Sequence, residues 1–282
     1  MYKILDEIDK TEKLEPEMVL EIQEAINHAF RYGKLLRSEI LKLLNDHAIM
    51  ESGNGYSFYN CEFRSEFKYR NDKRFFSFVT PLNIKKSTSR VFNKLKETIS
   101  ILKKDAEKWE SEKNNQWTRY VVDLVRFRIV CCFLSDVFKL ACHIGEKYRF
   151  PLSVYESSIK DYILSTTPNK RSNASKSIHF RFPVDNNFRI ELQLMTLLHF
   201  GWDQIEHAHY EKVRVKGLEP GHDDIMDKRI NLQYWAASDA LYLFDEQFML
   251  LENQWFKAEK QHNMKALLDE WGSLKTNIEN NL

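Results

Sequence analysis

The sequence predicts an α+β protein in which a mixed central β-sheet is flanked by helices, with further helical segments at both ends. Strand and helix patterns intermix between residues 56 and 212, which is typical of one α+β core. Amphipathic helical patterns precede this core at 17–48 and follow it at 223–252 and 255–279. The fold class follows from these two observations together.

These patterns predict a helical N-terminal extension over 1–50, an α+β domain over 51–215, and C-terminal helices over 216–282 that pack on the same domain. The 42 basic residues balance 41 acidic ones, so a polyanion-binding site has to be local. The N-terminus is too charged for a signal peptide, and no apolar run approaches the ~20 residues of a membrane span. We therefore expect a cytoplasmic protein without a membrane partner.

Two helices are predicted before the first long strand, with one or two exposed strands between them over Tyr56–Tyr69. Apolar residues such as Met18 and Ile22 recur at helical spacing in the first segment, and Gly33 is a candidate break. A second helix is predicted over Lys85–Trp109, because apolar residues recur at helical spacing along it.

Four strands and a helix follow. β-branched residues dominate Tyr120–Phe133, which predicts a central strand. Further segments are predicted in this order: a helix to about Glu146, a strand over Val154–Ile163, and a hairpin of the strands Ser177–Val184 and from Phe188. The four cysteines lack paired metal spacing and are interpreted as free thiols.

The segment from Phe188 to Lys212 carries the densest polar pattern. Its first residues alternate with period two, which predicts a half-buried strand. From about Thr196 a helix would place His199, Asp203, Glu206 and Tyr210 in one polar stripe, with Leu198, Trp202, Ile205 and His209 on another flank. The stripe fits either the wall of an active site or a solvated helix face.

Two carboxylates lie inside predicted central strands. Asp123 stands among valines and leucines, and an isolated buried carboxylate is costly unless it is paired or binds a metal. With Glu191 on a neighbouring strand and Arg128 nearby, the pattern suits Mg²⁺ and a polyphosphate. A structural ion pair is the alternative.

Residues from about 80 to 212 resemble the synthetase domain of the RelA/SpoT family of (p)ppGpp synthetases. Four motifs fall in the family's order and approximate spacing. They are DLVRFRI at 123–129 against D-L-x-G-I-R-I, KDYI at 160–163 with Pro168 and Lys170 against K-D-Y-I-x-x-P-K, NASKSIHF at 173–180 against N-G-Y-R-S-I-H, and ELQLMT at 191–196 with WDQIEHAHYEK at 202–212 against E-x-Q-x-R-T and W-A-x-x-E-H-x-x-Y-K. A weaker match is KKSTSRVFNKL at 85–95, against the family's donor segment.

The resemblance implies a nucleotidyltransferase-like synthetase fold and a pyrophosphokinase that moves the β,γ-pyrophosphate of ATP to the ribose 3′-hydroxyl of GDP or GTP, releasing AMP. It implies Mg²⁺ as cofactor and ATP as donor. By the resemblance, the metal ligands are Asp123 and Glu191, the donor-side residues are Lys86, Lys94, Arg128 and Gln193, and His179 lies close to the transferred group. Residues 1–80 show no pattern of the separate hydrolase domain that longer relatives carry, so a small alarmone synthetase without a hydrolase domain is expected.

The acceptor side departs from the family's pattern. By the resemblance, this side comprises Lys170, Ser175, Lys176, Glu206, His207 and Tyr210. The family's guanine-stacking tyrosine is replaced by Ser175, which removes a stacking contact worth roughly 1–3 kcal/mol. Met195 stands in place of an arginine, so the site also loses a cation.

These departures leave three interpretations open. The chain is a (p)ppGpp synthetase, or a toxic relative that pyrophosphorylates the 3′ end of tRNA or adenine nucleotides, or a catalytically weakened nucleotide-binding module. An antitoxin or regulatory protein and a homo-oligomer are further partners that the sequence leaves open. A zinc-hydrolase interpretation of Asp203-Gln204-Ile205-Glu206-His207 is disfavoured, because the first ligand of an H-x-x-E-H helix is missing.

Overall fold

The structure, a computed structural model, shows an eight-stranded β-sheet and α-helices among the residues that it describes. The residues that it describes are 3–44, 50–51, 56–59, 77–84, 87–121, 124–147, 159–161, 163, 176–183, 189–205, 225–255 and 264–280. The strands are β1 (Met50–Glu51), β2 (Ser57–Tyr59), β3 (Ser77–Val79), β4 (Asn83–Ile84), β5 (Val125–Cys131), β6 (Ile159–Asp161), β7 (Ile178–Pro183) and β8 (Arg189–Thr196).

The strands are ordered β1-β2-β3-β5-β8-β7-β6, and β4 also pairs with β5. β3 runs antiparallel to β5, with Phe78 opposite Val130 and Val79 opposite Ile129. β5 and β8 are therefore interior strands, with a hydrogen-bonded neighbour on each side. The prediction of an α+β fold with a mixed sheet flanked by helices is confirmed.

Helices occur in the regions where the sequence predicted them, with additions and shifted ends. They are α1 (Leu5–Lys10), α2 (Pro16–Leu43), α3 (Thr88–Leu102), α4 (Ala106–Glu112), α5 (Leu134–Lys147), α6 (197–205), α7 (Ile225–Trp255) and α8 (Met264–Asn280). Within the described ranges, no helix is both long and apolar enough to cross a bilayer.

The chain divides into two compact units. The first comprises residues 1–45, 81–127 and 180–192, and the second comprises residues 46–80, 128–179 and 193–282. The two do not follow the sequence-based division into extension, domain and C-terminal helices, which remains a prediction.

The first unit is built on the apolar faces of α2 and α3. Its core also takes in α1 and the start of β5, and Trp117 is fully buried in it. The indole Nε1 of Trp117 donates a hydrogen bond to Glu21 Oε1 at 2.6 Å, so its polar atom is satisfied. The short α1, which the sequence did not predict, is fixed by Leu5 and Ile8, whose side chains are buried in the same core.

The predicted helix Lys85–Trp109 is two helices, so that prediction is wrong in its length. α3 begins after Ser87, whose Oγ accepts a hydrogen bond from the backbone N–H of Arg90 at 3.4 Å. α4 begins after Asp105, whose carboxylate accepts from Lys108 N–H at 3.1 Å. The side chain of Asp105 therefore starts a new helix where the apolar pattern alone suggested continuity.

The predicted strand Tyr120–Phe133 is also shorter than expected. Residues Trp117–Tyr120 form a 3₁₀ turn, and the strand itself spans Val125–Cys131. Its interior position in the sheet explains why β-branched and aromatic residues dominate the sequence there. Cys131 and Cys142 are buried free thiols and Cys132 is a half-buried one, as predicted for these cysteines.

The second unit contains α5, α7 and α8. α8 packs against α5, and Trp271 of α8 is fully buried. Burial raises the pKa of the Cys142 thiol on α5 to about 12, helped by the negative charges of Glu270 and Glu146. Cys142 is therefore a packing residue held in its neutral form.

The stretch 189–205 differs from its predicted burial. β8 is buried along its whole length after Arg189, so it is an interior strand and the half-buried prediction is wrong. On α6 the polar residues His199 and Asp203 are 1% and 3% exposed, whereas Leu197 and Ile205 are 50% and 60% exposed. The solvated-face interpretation is therefore wrong for His199 and Asp203, because both side chains have polar partners inside the protein.

Candidate functional site

The most tightly built polar cluster of the second unit surrounds Arg128 on β5. The guanidinium Nε donates to Gln193 Oε1 on β8 at 2.8 Å, and one Nη donates to Asp203 Oδ2 on α6 at 2.5 Å. The side chains of Arg128 and Asp203 are 7% and 4% exposed. A buried arginine requires such a counter-charge, because an uncompensated ion is costly away from water.

Aromatic packing and backbone hydrogen bonds further restrain Arg128. Its guanidinium carbon lies 5.6 Å from the centre of the Phe200 ring, within the range of a cation–π contact. The ring of Phe78 meets Phe200 edge-on, with 5.4 Å between centroids. The backbone N–H of Arg128 donates to Thr80 Oγ1 at 2.9 Å, and Thr80 N–H donates to Arg128 O at 2.9 Å. The orientation of the guanidinium is therefore determined from several directions.

The first unit contains a second buried pair of opposite charges. Glu191 on β8 is 3% exposed, and its Oε2 lies 3.9 Å from Arg181 Nε on β7. The sequence analysis predicted a buried charge at Glu191 but did not single out Arg181. The signal was present in the alternation of Ser177–Val184, where Arg181 interrupts a run of apolar and aromatic residues.

Lys176, predicted on the acceptor side, lies against α7 of the second unit. Its Nζ is 2.7 Å from Asp239 Oδ1 and 5.0 Å from the centre of the Tyr242 ring. The lysine side chain is only 8% exposed, while Asp239 is 60% exposed. Any ligand phosphate at Lys176 would therefore compete with an existing carboxylate.

A third buried group joins β8, α6 and α7 in the second unit. Thr196 Oγ1 donates to Asp245 Oδ2 at 2.6 Å, and His199 Nε2 lies 3.7 Å from the same oxygen. The backbone N–H of Lys176 donates to His199 Nδ1 at 3.4 Å, which favours the tautomer with hydrogen on Nε2. Burial raises the pKa of Asp245 to about 7, although the Thr196 hydrogen bond opposes the shift.

The remaining positions singled out from the sequence that the structure describes are His179, Lys94 and Met195. His179 at the start of β7 is half-buried, and its Nε2 shares a hydrogen bond of 2.7 Å with Ser177 Oγ. Lys94 is half-buried on α3 in the first unit. Met195, at the position of the family's arginine, is 1% exposed and belongs to the packed interior.

Several predicted site residues lie outside the described residues. They are Asp123, Lys86, Lys170, Ser175, Glu206, His207 and Tyr210. Their assignments stay predictions.

Metal binding can be judged for Glu191 alone. No group of three or more His, Cys, Asp or Glu residues occurs in the described part of the chain. Mg²⁺ commonly uses one or two carboxylates and completes its shell with water and substrate phosphates. A buried carboxylate such as Glu191 fits that donor set. Asp203, the residue in the first-ligand position of the disfavoured zinc motif, is instead paired with Arg128.

The sequence analysis missed the partners that hold these charges. It placed Asp203 in a polar stripe without linking it to Arg128, and it gave no role to Asp239 or Asp245. Helical spacing offered a signal for Asp203 only. The two α7 residues lie in a long amphipathic helix, where an acidic residue is normally solvated.

Comparison with known proteins identifies a segment that includes the Arg128 cluster and the Arg181–Glu191 pair. Residues 93–215 match the family described as a region found in RelA/SpoT proteins. This match confirms, for residues 93–215, the resemblance identified from the motifs. A search of curated proteins found no match.

The chain is also similar to several solved structures. One is small alarmone synthetase 1 from Bacillus subtilis bound to its product pppGpp, with 20% identity, coverage of 68% of this chain and 87% of that chain, and a TM-score of 0.42. Another is small alarmone synthetase 2 from Bacillus subtilis, with 14% identity, coverage of 84% and 96%, and a TM-score of 0.38. A third is a GTP pyrophosphokinase family protein from Streptococcus pneumoniae, with 16% identity, coverage of 70% and 85%, and a TM-score of 0.40.

Proposed function

We propose that the protein is a Mg²⁺-dependent pyrophosphokinase that transfers the β,γ-pyrophosphate of ATP to a ribose 3′-hydroxyl and releases AMP. The observation that carries this proposal is the RelA/SpoT match over residues 93–215, which includes Arg128, His179, Glu191 and Gln193. Arg128, Glu191 and Gln193 are buried, and burial strengthens their electrostatic interactions with a charged ligand.

Pyrophosphate transfer requires charge neutralisation and a proton acceptor. In the proposed reaction, Glu191 and Asp123 would hold Mg²⁺, and the ion would supply charge stabilisation for the transferred group. Glu191 also suits the general base that accepts the proton of the attacking hydroxyl. Arg128, Lys86 and Lys94 would bind the donor phosphates, because their positive charges balance the negative charge of the polyphosphate.

The Arg181 guanidinium is a positively charged neighbour of the Glu191 carboxylate. At 3.9 Å it partly compensates the buried carboxylate before a cation or substrate binds. Glu191 would hold Mg²⁺ through its carboxylate oxygens, which have to be ionised in a metal ligand.

A guanine nucleotide is the acceptor that the family resemblance favours. Ser175 and Met195 favour a second candidate, because they remove a stacking surface and a cation from the acceptor side. That candidate is pyrophosphorylation of the tRNA 3′ end or of an adenine nucleotide. The Lys176 Nζ lies 5.0 Å from the centre of the Tyr242 ring and 2.7 Å from Asp239 Oδ1, so the lysine charge is already engaged there.

The direct test uses purified protein, Mg²⁺ and ATP labelled in the γ-phosphate, with GDP, GTP, ADP and bulk tRNA offered separately. The proposal predicts AMP release that depends on one acceptor, which becomes labelled. Glu191→Gln should abolish transfer, whereas Glu112→Gln, another buried carboxylate with no proposed role, should not.

The outcome also separates the three interpretations. Label on GDP or GTP supports the (p)ppGpp synthetase, and label on tRNA or ADP supports the second candidate. Binding of ATP and Mg²⁺ by calorimetry without label on any acceptor would contradict catalysis and leave a nucleotide-binding module.

A further inference from the structure

The Arg128–Asp203 pair is a feature that the family resemblance does not account for. The helix motif W-A-x-x-E-H has alanine where this chain has Asp203. Alanine cannot form an ion pair, whereas the Asp203 carboxylate lies 2.5 Å from an Nη of Arg128 and both side chains are buried. The pair therefore changes the surroundings of a residue that the proposed function assigns to the ATP phosphates.

We propose that Asp203 is a positioning residue of the pyrophosphate-transfer site, which acts by fixing the orientation of the Arg128 guanidinium. The inference rests on the proposed function and names a residue that acts within it. Asp203 does not itself contact the substrate.

The hydrogen bonds of Arg128 support a positioning role. A guanidinium has five N–H donors in a fixed plane. Gln193 accepts from Nε and Asp203 accepts from one Nη, and these two donors lie along one edge of the planar group. Phe200 lies against the group at 5.6 Å. These contacts fix the plane, so the remaining N–H groups have a set direction in which to meet phosphate oxygens.

A simple role in charge compensation predicts the opposite effect on ATP. If Asp203 only neutralised Arg128, Asp203→Asn would leave a more positive site that binds ATP phosphates more tightly and transfers at least as fast. If Asp203 positions Arg128, the same variant loses rate even though ATP binding does not weaken. The direction of the change in kcat, read with KM for ATP, separates the two roles.

The experiment measures kcat and KM for ATP in the wild type, Asp203→Asn, Arg128→Lys and the double variant, with the acceptor found above. We expect Asp203→Asn to lower kcat by about 10- to 100-fold, the range known for residues that orient functional ligands, without raising KM for ATP. In the Arg128→Lys background the same substitution should lower kcat by less than about twofold, because its target is already changed.

Two controls separate positioning from loss of folded protein. Glu112→Gln removes a buried carboxylate that has no role in the proposal, and it should keep the wild-type kcat. The midpoint temperature of thermal unfolding of every variant should lie above the assay temperature. If Asp203→Asn does not fold, Phe200→Leu replaces it, with kcat expected to fall about 2- to 30-fold through loss of the cation–π contact, again non-additively with Arg128→Lys.

The results that would contradict the positioning role differ from those that would contradict the proposed function. Wild-type kcat in Asp203→Asn, wild-type kcat in Arg128→Lys, or effects that multiply in the double variant would each overturn the positioning role while leaving pyrophosphate transfer intact. A wild-type protein that labels no acceptor would instead refute the proposed function, and the positioning role would fall with it.

Discussion

We expect the free energy of unfolding to depend on pH through Asp245, with a size that follows from the burial of its carboxyl group. The carboxyl group lies on α7, its side chain is 0% exposed, and one of its oxygens, Oδ1, has no hydrogen-bond partner among the described residues. Thr196 donates to the other oxygen. Burial raises the pKa of this group from 3.8 to about 7, so the folded protein keeps a proton that the unfolded chain has released.

The sign of the effect follows from this proton. The contribution of Asp245 to stability is present in full below about pH 4, falls as the pH rises, and is lost above about pH 7. A shift of about three pKa units corresponds to a free-energy difference on the order of 4 kcal/mol. A protonated His199, whose Nε2 is 3.7 Å away, would favour the ionised carboxylate and reduce this difference.

Asp245→Asn replaces the carboxyl group by a neutral amide whose oxygen can still accept from Thr196. We expect the variant to match the wild type near pH 4 and to exceed it in free energy of unfolding by up to about 4 kcal/mol at pH 8. Urea unfolding at a series of pH values, followed by tryptophan fluorescence, measures the difference.

Asp239→Asn is the matched control, because it makes the same chemical change on the same helix at a side chain that is 60% exposed. Because Asp239 pairs with the buried Lys176, this variant should lose stability relative to the wild type as the pH rises and should not gain it. A variant at Asp245 that is less stable than the wild type at pH 8, or equally stable at every pH, would refute the reasoning from burial.

Four further outcomes test the packing of both units. Asp203→Ala should lower the free energy of unfolding by about 3–5 kcal/mol in urea at pH 7, because it leaves the Arg128 charge buried without its partner; a loss below 1 kcal/mol would contradict this. Gly201→Ala should raise stability by roughly 0.5–1 kcal/mol in thermal unfolding, since an added Cβ meets nothing within 4 Å. Gly33→Ala should gain less, because its Cβ would lie 3.1 Å from a Leu82 methyl carbon, and a larger gain than at Gly201 would count against that contact. Cys142 should resist alkylation by iodoacetamide at pH 8 in the folded protein, as measured by mass spectrometry, because the pKa of its thiol is about 12; rapid labelling without unfolding would be inconsistent with its burial.

The sequence indicated the charged residues of the candidate site better than their surroundings. Arg128 and Glu191 could be singled out because a charge inside an apolar strand is exceptional, and both are buried in the structure. The period-two pattern of β8 was correct for a strand but wrong for its burial. Periodicity reports one polar and one apolar face. In β8 the polar face is buried as well, because Glu191 and Gln193 have partners on the neighbouring strands.

The partners of these charges could not be predicted from local pattern. Arg128 and Asp203 are separated by 75 residues, and Thr196 and Asp245 by 49. Such pairs form only when distant segments pack together, and no property of either segment specifies the other. Lys176 illustrates the consequence, since nothing in its own segment specifies the ion pair that it forms with Asp239 on α7.

The sequence by itself determined the α+β class, the helical seams of α2 and α3, and the RelA/SpoT motifs, because these depend on residue type and spacing along the chain. The tertiary structure alone decided which groups neutralise the buried charges. Burial and pairing depend on contacts across the sheet and between helices, so the roles of Asp203 beside Arg128 and of Arg181 beside Glu191 became visible only in the folded protein.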